Sequence, residues 1–205
     1  MNLKVLAQPA VEPCTLAEVK AYCRVDSTDD DSTIAGIMAA AREYVERHTK
    51  KTLIYTAYRL TLDAFPAWDD IELPRIPAIT APSATISGVN YDTPRIKYWD
   101  GDGNQQTMVL DVDYELLLDD NPPRIVLPAT MLWPVTLVYQ RGAVEVDFVA
   151  GYGSAPGAVP PLLRMAVKIL TAHWYEHRDA VGSYGTEVPL ALANILSLHD
   201  SGGYN

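Results

Sequence analysis

The spacing of apolar positions changes twice along the chain, and each change marks a different kind of structure. From Asp29 to Lys51, the residues Ile34, Ile37, Met38, Ala41, Tyr44, Val45 and His48 recur at the three–four interval that gathers side chains on one face of an α-helix. Asp29-Asp30-Asp31-Ser32 offers capping oxygens and negative charge at the start of this helix. Arg47, Lys50 and Lys51 bring positive charge to its last turn, so each sign suits the helix dipole. A shorter helix is predicted before it, over Leu16–Cys23. Pro13 precedes that segment, and Thr15 followed three residues later by Glu18 is a capping-box pattern. Arg24-Val25-Asp26-Ser27-Thr28 links the two helices.

From Thr52 to Ala150 the period shortens. Thr52–Leu62 is rich in β-branched and aromatic residues, and Tyr58-Arg59-Leu60-Thr61-Leu62 alternates residue by residue as a strand does. Pro66, Pro74, Pro77, Pro82 and Pro94 cut the region into short extended pieces, because proline cannot donate to a sheet ladder. Arg95–Trp99 and Gln106–Leu110 flank Asp100-Gly101-Asp102-Gly103-Asn104, which predicts a hairpin. Further strands are expected at 113–118, 124–127, 135–139 and 143–149. Short strands between turns predict a small β-sandwich or barrel.

Helical spacing returns after residue 158. Val159-Pro160-Pro161 opens the segment with proline in the first turn, where a missing N–H costs little. Leu162, Leu163, Ala166, Val167, Leu170, His173 and Trp174 then form a broad apolar face. Gly182, Ser183 and Gly185 break it, and Pro189 begins a short apolar segment, Leu190-Ala191-Leu192-Ala193-Asn194-Ile195-Leu196. The predicted class is α+β. N- and C-terminal helices (13–51 and 158–200) pack as a helical bundle, a small β-sandwich or barrel-like domain is inserted at 52–150, and 201–205 is a flexible tail.

Composition narrows the function classes. A chain of 205 residues that is 48% hydrophobic can bury one good core or two small ones. No apolar run reaches the roughly 18 residues of a membrane span. Met1–Ala7 lacks the long apolar stretch of a signal peptide, so synthesis and use in a cytoplasm are expected, without a membrane partner. The formal net charge is −10 and the Lys/Arg residues are scattered singly or in pairs, which disfavours direct nucleic-acid binding. An acidic wall is still compatible with DNA passing along it, because repulsion prevents sticking. Cys14 and Cys23 are too few for a disulfide framework and form no metal-type pair, so they read as reduced, half-buried thiols.

Catalytic patterns are sparse. His173-Trp174-Tyr175-Glu176-His177 fits H-x-x-E-H, in which two histidines one helical turn apart hold zinc and the glutamate acts as base. A third protein ligand is then needed, and the acids that follow are only Asp179, Glu187 and Asp200, with His199 near the end. A helix whose histidines border the core or a subunit contact explains the pattern more simply. Asp100–Asn104 opens like a calcium loop but has Gln105 at the sixth position and Asp111 at the twelfth, so a polar turn is expected. Gly151-Tyr152-Gly153-Ser154-Ala155-Pro156-Gly157 lacks the lysine and the spacing of a phosphate loop. The pairs Asp69-Asp70 and Asp119-Asp120 lie beside prolines and read as solvated turns, and no Ser/His/acid order stands out. A ligand-binding β module has only Tyr98 and Trp99 as an aromatic platform. No catalytic residue, metal or cofactor is therefore expected.

Four segments, in order along the chain, carry a resemblance to one family. Pro13-Cys14-Thr15-Leu16-Ala17-Glu18-Val19-Lys20-Ala21-Tyr22-Cys23-Arg24-Val25-Asp26 is similar to the opening P-x-(S/T)-L-A-E-x-K-x-(H/Y)-L-R-(V/I)-D of the head–tail connector (adaptor) proteins of long-tailed phages, prophages and gene transfer agents. Asp29-Asp30-Asp31-Ser32-Thr33-Ile34 running into Ala40–Glu46, and Ile71-Glu72-Leu73-Pro74-Arg75, follow the same pattern. So do Val146–Gly153, Val159-Pro160-Pro161 and Ala172–Ala180. Cys23 stands where leucine is usual, and the β insertion is too variable to align.

The resemblance implies a structural subunit without chemistry, placed at the head–tail junction of a virion or phage-like particle and assembled in a bacterial cytoplasm. It would form a ring (twelve-fold in relatives) between the portal protein and a stopper or tail-completion protein. DNA would pass through the channel without sequence-specific binding, and the isolated chain would be monomeric or weakly associated. The same resemblance places portal and subunit contacts in the C-terminal segment from Val188 to Tyr204, at Leu190, Leu192, Ile195, Leu196, Leu198 and Tyr204, with Trp174, Tyr175 and Arg178 as further candidates.

Overall fold

A computed structural model describes residues 1–67, 70–79, 84–86, 89–91, 94–136, 141–177 and 190–199. The described residues divide into two compact units, one built from Met1–Ala10 and Tyr55–Gly151, the other from Val11–Ile54 and the described residues between Tyr152 and His199.

The helical unit contains α1 (Leu16–Cys23), α2 (Asp31–Thr49), α3 (Pro161–Glu176) and α4 (Leu190–His199). The capping box of α1 is made as predicted: Glu18 N–H donates to Thr15 Oγ1 at 3.2 Å, and Thr15 N–H to Glu18 Oε2 at 2.9 Å. Arg24 (φ 56°) and Lys50 (φ 58°) end α1 and α2 in the left-handed conformation. Ile34, Met38, Ala41 and Val45 from α2 meet Leu163, Ala166, Val167 and Leu170 from α3 in one core, with Leu192 and Leu196 of α4 completing it.

At the end of α2 the buried stripe departs from the predicted one. His48 is exposed, and Glu46 and Thr49 are buried instead. The buried carboxylate has partners: Glu46 accepts from Leu53 N–H at 2.8 Å and pairs with Arg42 at 3.0 Å, while Arg42 also reaches Glu12 at 2.9 Å. A charge can be buried when paired and hydrogen-bonded, a condition that hydrophobic periodicity does not register. Leu162, expected on the core face of α3, is exposed too.

The β unit has a six-stranded antiparallel sheet: β1 (Asn2–Ala7), β2 (Thr56–Leu62), β11 (Val144–Ala150), β7 (Arg95–Trp99) and β8 (Gln105–Thr107) in that order, with β4 (Ala78–Ile79) also pairing with β11. A second sheet has the order β3 (Ile71–Glu72), β10 (Arg124–Val126), β9 (Glu115–Leu117), and β5 (Ala84–Ile86) pairs with β6 (Val89–Tyr91). Alternation sets the faces. Tyr58, Leu60, Ile96, Val144, Val146 and Phe148 of the large sheet share a core with Ile71 and Ile125 of the three-stranded sheet and with Leu73 and Tyr114 beside it, which makes a small sandwich. The opposite face carries Arg59, Glu145 and Asp147.

The predicted hairpin is β7–β8. Asp100 organises its turn by accepting from Asp102 and Asn104 N–H at 3.1 and 2.9 Å and from Gln106 Nε2 at 2.8 Å. These bonds hold the Asp100 carboxyl below the ordinary range, the Gln106 contact contributing most. β1, which the apolar pattern does not single out, pairs with β2 from Asn2↔Thr61 to Ala7↔Ala57. Residue 136 forms a bridge with Asp100, and 137–139, the rest of the strand expected at 135–139, lie outside the described residues.

Candidate functional site

The H-x-x-E-H segment lies at the end of α3. The His173 and His177 rings are 4.6 Å apart, as the one-turn spacing requires. His177 already stands past the helix, with Nδ1 2.9 Å from the His173 carbonyl oxygen, and Glu176 is exposed. Among the described residues no group of three His, Cys, Asp or Glu side chains is placed to hold a metal ion. Cys14 is buried and Cys23 half-buried, both free, and burial raises both thiols above their ordinary range.

The residues expected to make contacts with other subunits fall into distinct environments. Trp174 and Tyr175 are held inside the helical unit: the Trp174 ring meets Tyr44 edge-on at 5.9 Å, and Tyr175 Oη donates to Asp30 Oδ2 at 2.6 Å. On α4 the helical period splits the apolar set. Leu192 (0% exposed) and Leu196 (1%) are core residues and Ile195 is half-buried against them, whereas Leu190 (77%) and Leu198 (75%) project outward. Arg178 and Tyr204 lie outside the described residues, as do the breaker at 182–185 and the tail at 201–205. Leu162, expected on the core face, and Met165, outside the predicted stripe, form an exposed apolar pair on α3.

In the helical unit Arg164 ties the start of α3 to α1. It pairs with Glu18 at 2.6 Å and donates from Nε to the Pro13 carbonyl at 3.1 Å. Glu18 titrates below its ordinary range, first because the Thr15 N–H donates to it and then because of Arg164. The residues that carry the family resemblance at the N-terminus are thus the ones that cap α1 and fasten it to α3.

In the β unit an open cleft of about 530 Å³ is lined by Leu60, Leu62, Pro66, Ile71, Glu72 and Arg124, among others, and not by Tyr98 or Trp99. Tyr98 instead packs edge-on against Phe65, which stacks on Trp133 at 4.8 Å. On the charged face of the large sheet Arg59 pairs with Asp147 at 2.6 Å and Glu145 at 3.0 Å, and Arg95 reaches Asp147 at 3.5 Å. No helix of the described residues is long and apolar enough to cross a membrane.

Comparison with known proteins bears on this arrangement. Residues 13–76 match the model of the phage gp6-like head-tail connector protein family. No curated protein sequence matches the chain. Among solved structures, it is similar over 97% of its length, and 95% of the other chain, to a chain of the neck of an empty gene transfer agent particle computed with C6 symmetry, with TM-score 0.73 and 25% identity. A chain of the virion of a native gene transfer agent particle matches over 97% and 94%, with TM-score 0.72 and 26% identity. A chain of the neck of a native particle computed with C12 symmetry matches over 96% and 94%, with TM-score 0.68 and 26% identity. All are components of particles. With residues 13–76 matching the family's model and nearly the whole chain sharing the fold of particle-neck proteins, the chain is similar to head–tail connector proteins.

Proposed function

We propose that this protein is a structural adaptor subunit of a particle neck, joining head to tail at the head–tail junction and working by assembly alone. The observation that carries the reading is the likeness, across both units, to a chain of a gene transfer agent neck. The finer assignment is a ring that docks on a portal protein, accepts a stopper or tail-completion protein and continues the DNA channel. What supports it is the C12 symmetry of one neck with a similar chain. The helical unit would form the annulus. Leu190 and Leu198 of α4, followed by the segment to Tyr204, would meet the portal, with Arg178 beyond α3 as a further contact. Exposed leucines on a helix already anchored by Leu192 and Leu196 are what a docking helix needs, since burying them stabilises the complex by about 25 cal/mol per Å².

The test is genetic and structural. Removing the coding sequence from a producing cell should leave heads without tails, and restoring it should return tailed particles containing the protein at the neck. Tailed particles assembled without it would end the proposal.

A further inference from the structure

We infer that the charged face of the large β sheet is a docking surface for a second copy of this chain, which it meets through the acidic segment between Asp100 and Asp120. The inference rests on the ring reading above and identifies one contact within it.

The strand register gathers cations that are distant in sequence. Lys4, Arg59, Asp147 and Arg95 stand side by side across β1, β2, β11 and β7, and the adjacent row runs Asn2, Thr61, Glu145, Lys97 and Thr107. Four strands at about 4.8 Å separation make this band roughly 14 Å wide. The β unit as a whole has seven Lys/Arg and fourteen Asp/Glu, yet four of those cations and only two of the carboxylates stand on this face. Both carboxylates are taken by Arg59 and Arg95, and Lys4 and Lys97 have no carboxylate partner among the described residues.

The complementary surface lies elsewhere on the same unit. From Asp100 to Asp120 there are seven carboxylates and no Lys or Arg. Three are occupied: Asp100 organises the hairpin turn, Asp113 accepts from Val109 N–H at 2.7 Å, and Asp120 pairs with Arg124. Among the described residues Asp102, Asp111, Glu115 and Asp119 have no cation partner and are exposed, and the exposed Val109, Val112 and Leu117 are interleaved with them. One unit thus presents a basic face and an acidic, partly apolar edge. Two different patches that fit one another make a head-to-tail contact, and such a contact generates a ring when its rotation closes. A second copy is favoured over DNA as the occupant because duplex DNA offers only a uniform anionic backbone to a chain of net charge −10, whereas the acidic segment also brings the exposed Val109, Val112 and Leu117 to bury.

Two double variants test this in the full-length chain: Lys4→Glu with Lys97→Glu on the face, and Asp102→Lys with Glu115→Lys on the edge. Self-association is measured by sedimentation at high protein concentration and low salt. Each variant alone should associate at least about tenfold more weakly than the wild type, as charge reversal at a complementary contact does. An equimolar mixture of the two should recover association, because a reversed face then meets a reversed edge. Wild-type association should also fall as salt is raised. Association unchanged in both variants, or a mixture no better than its parts, overturns the contact while leaving the adaptor reading intact. A wild-type chain that stays monomeric at every concentration overturns the contact as well. Salt-sensitive binding of duplex DNA that Lys4→Glu with Lys97→Glu abolishes, with self-association unaffected, assigns the face to nucleic acid instead. Failure of the adaptor reading appears separately, as absence of the protein from tailed particles.

Discussion

Replacing Leu196 by alanine removes a side chain that is 1% exposed and seated with Leu192, Leu163 and Leu170 in the core of the helical unit. Replacing Leu198 removes one that is 75% exposed, two residues along the same helix. Loss of a fully buried leucine costs about 3 kcal/mol where the cavity stays open. α4 is only ten residues long and rests mainly on Leu192 and Leu196, each worth roughly 1.5–3 kcal/mol of burial before the helix is ordered. The penalty at Leu196 is therefore capped by the free energy with which α4 is docked, and about 2–3 kcal/mol is expected, with α4 opening before the rest. Leu198→Ala should change stability by less than about 0.5 kcal/mol. Urea unfolding gives the totals, and amide exchange over residues 190–199 shows whether α4 is the segment released. Under the adaptor reading, the assembly defect should have the opposite order, because Leu198→Ala should weaken incorporation into particles in a chain that is still stably folded. Equal destabilisation by the two substitutions, or a cost below about 0.5 kcal/mol at Leu196, would refute the division of α4 into a core side and a docking side.

Three further outcomes follow from the packing. A Cβ at Gly153 would lie 2.5 Å from the Ala158 Cβ, so Gly153→Ala should cost about 1–3 kcal/mol in thermal or urea unfolding, and wild-type stability in that variant would show that the 152–158 connection is looser than described. Asp147, buried beside Arg59 and Arg95, should cost about 1–3 kcal/mol when changed to alanine, because Arg59 loses two charge-assisted hydrogen bonds and keeps only Glu145, and a loss under about 0.5 kcal/mol would contradict the pairing. His199 is held below the ordinary histidine value of 6.5, first by burial and then by Lys51, and its Nε2 has no hydrogen-bond partner among the described residues. The unfolded chain then binds the proton more readily. The contribution of His199 is full above about pH 6.5 and lost as the pH falls below it. Exchange protection of α4 should drop between pH 7.5 and 5.5 in the wild type and stay flatter in His199→Gln, and equal slopes would discount the histidine.

What the sequence determines by itself is everything that depends on neighbours a few residues apart. The Thr15–Glu18 capping box, the helices over 16–23 and 31–49, the β7–β8 hairpin around Asp100 and the α+β class are all legible because caps, turns and periodicity act over three to five positions. The family opening at Pro13–Asp26 is legible for the same reason, since Thr15, Glu18 and the start of the chain's first helix form one local device. Tertiary structure alone decides which of several apolar or charged positions meets what. It separates Leu192 and Leu196 from Leu190 and Leu198, whose residue type is identical, by the side of α4 on which each falls. It buries Glu46 and exposes His48 because Arg42 and the Leu53 N–H are there to satisfy the carboxylate. And it brings Lys4, Arg59, Arg95 and Lys97 onto one face of a sheet. In the sequence these are scattered single cations in an acidic chain, whereas strand pairing gathers positions 4 to 97 onto one face, with paired strands roughly 5 Å apart and successive rows roughly 7 Å apart. A charge pattern of that kind has no local signature, because its physical basis is the register of long-range pairing.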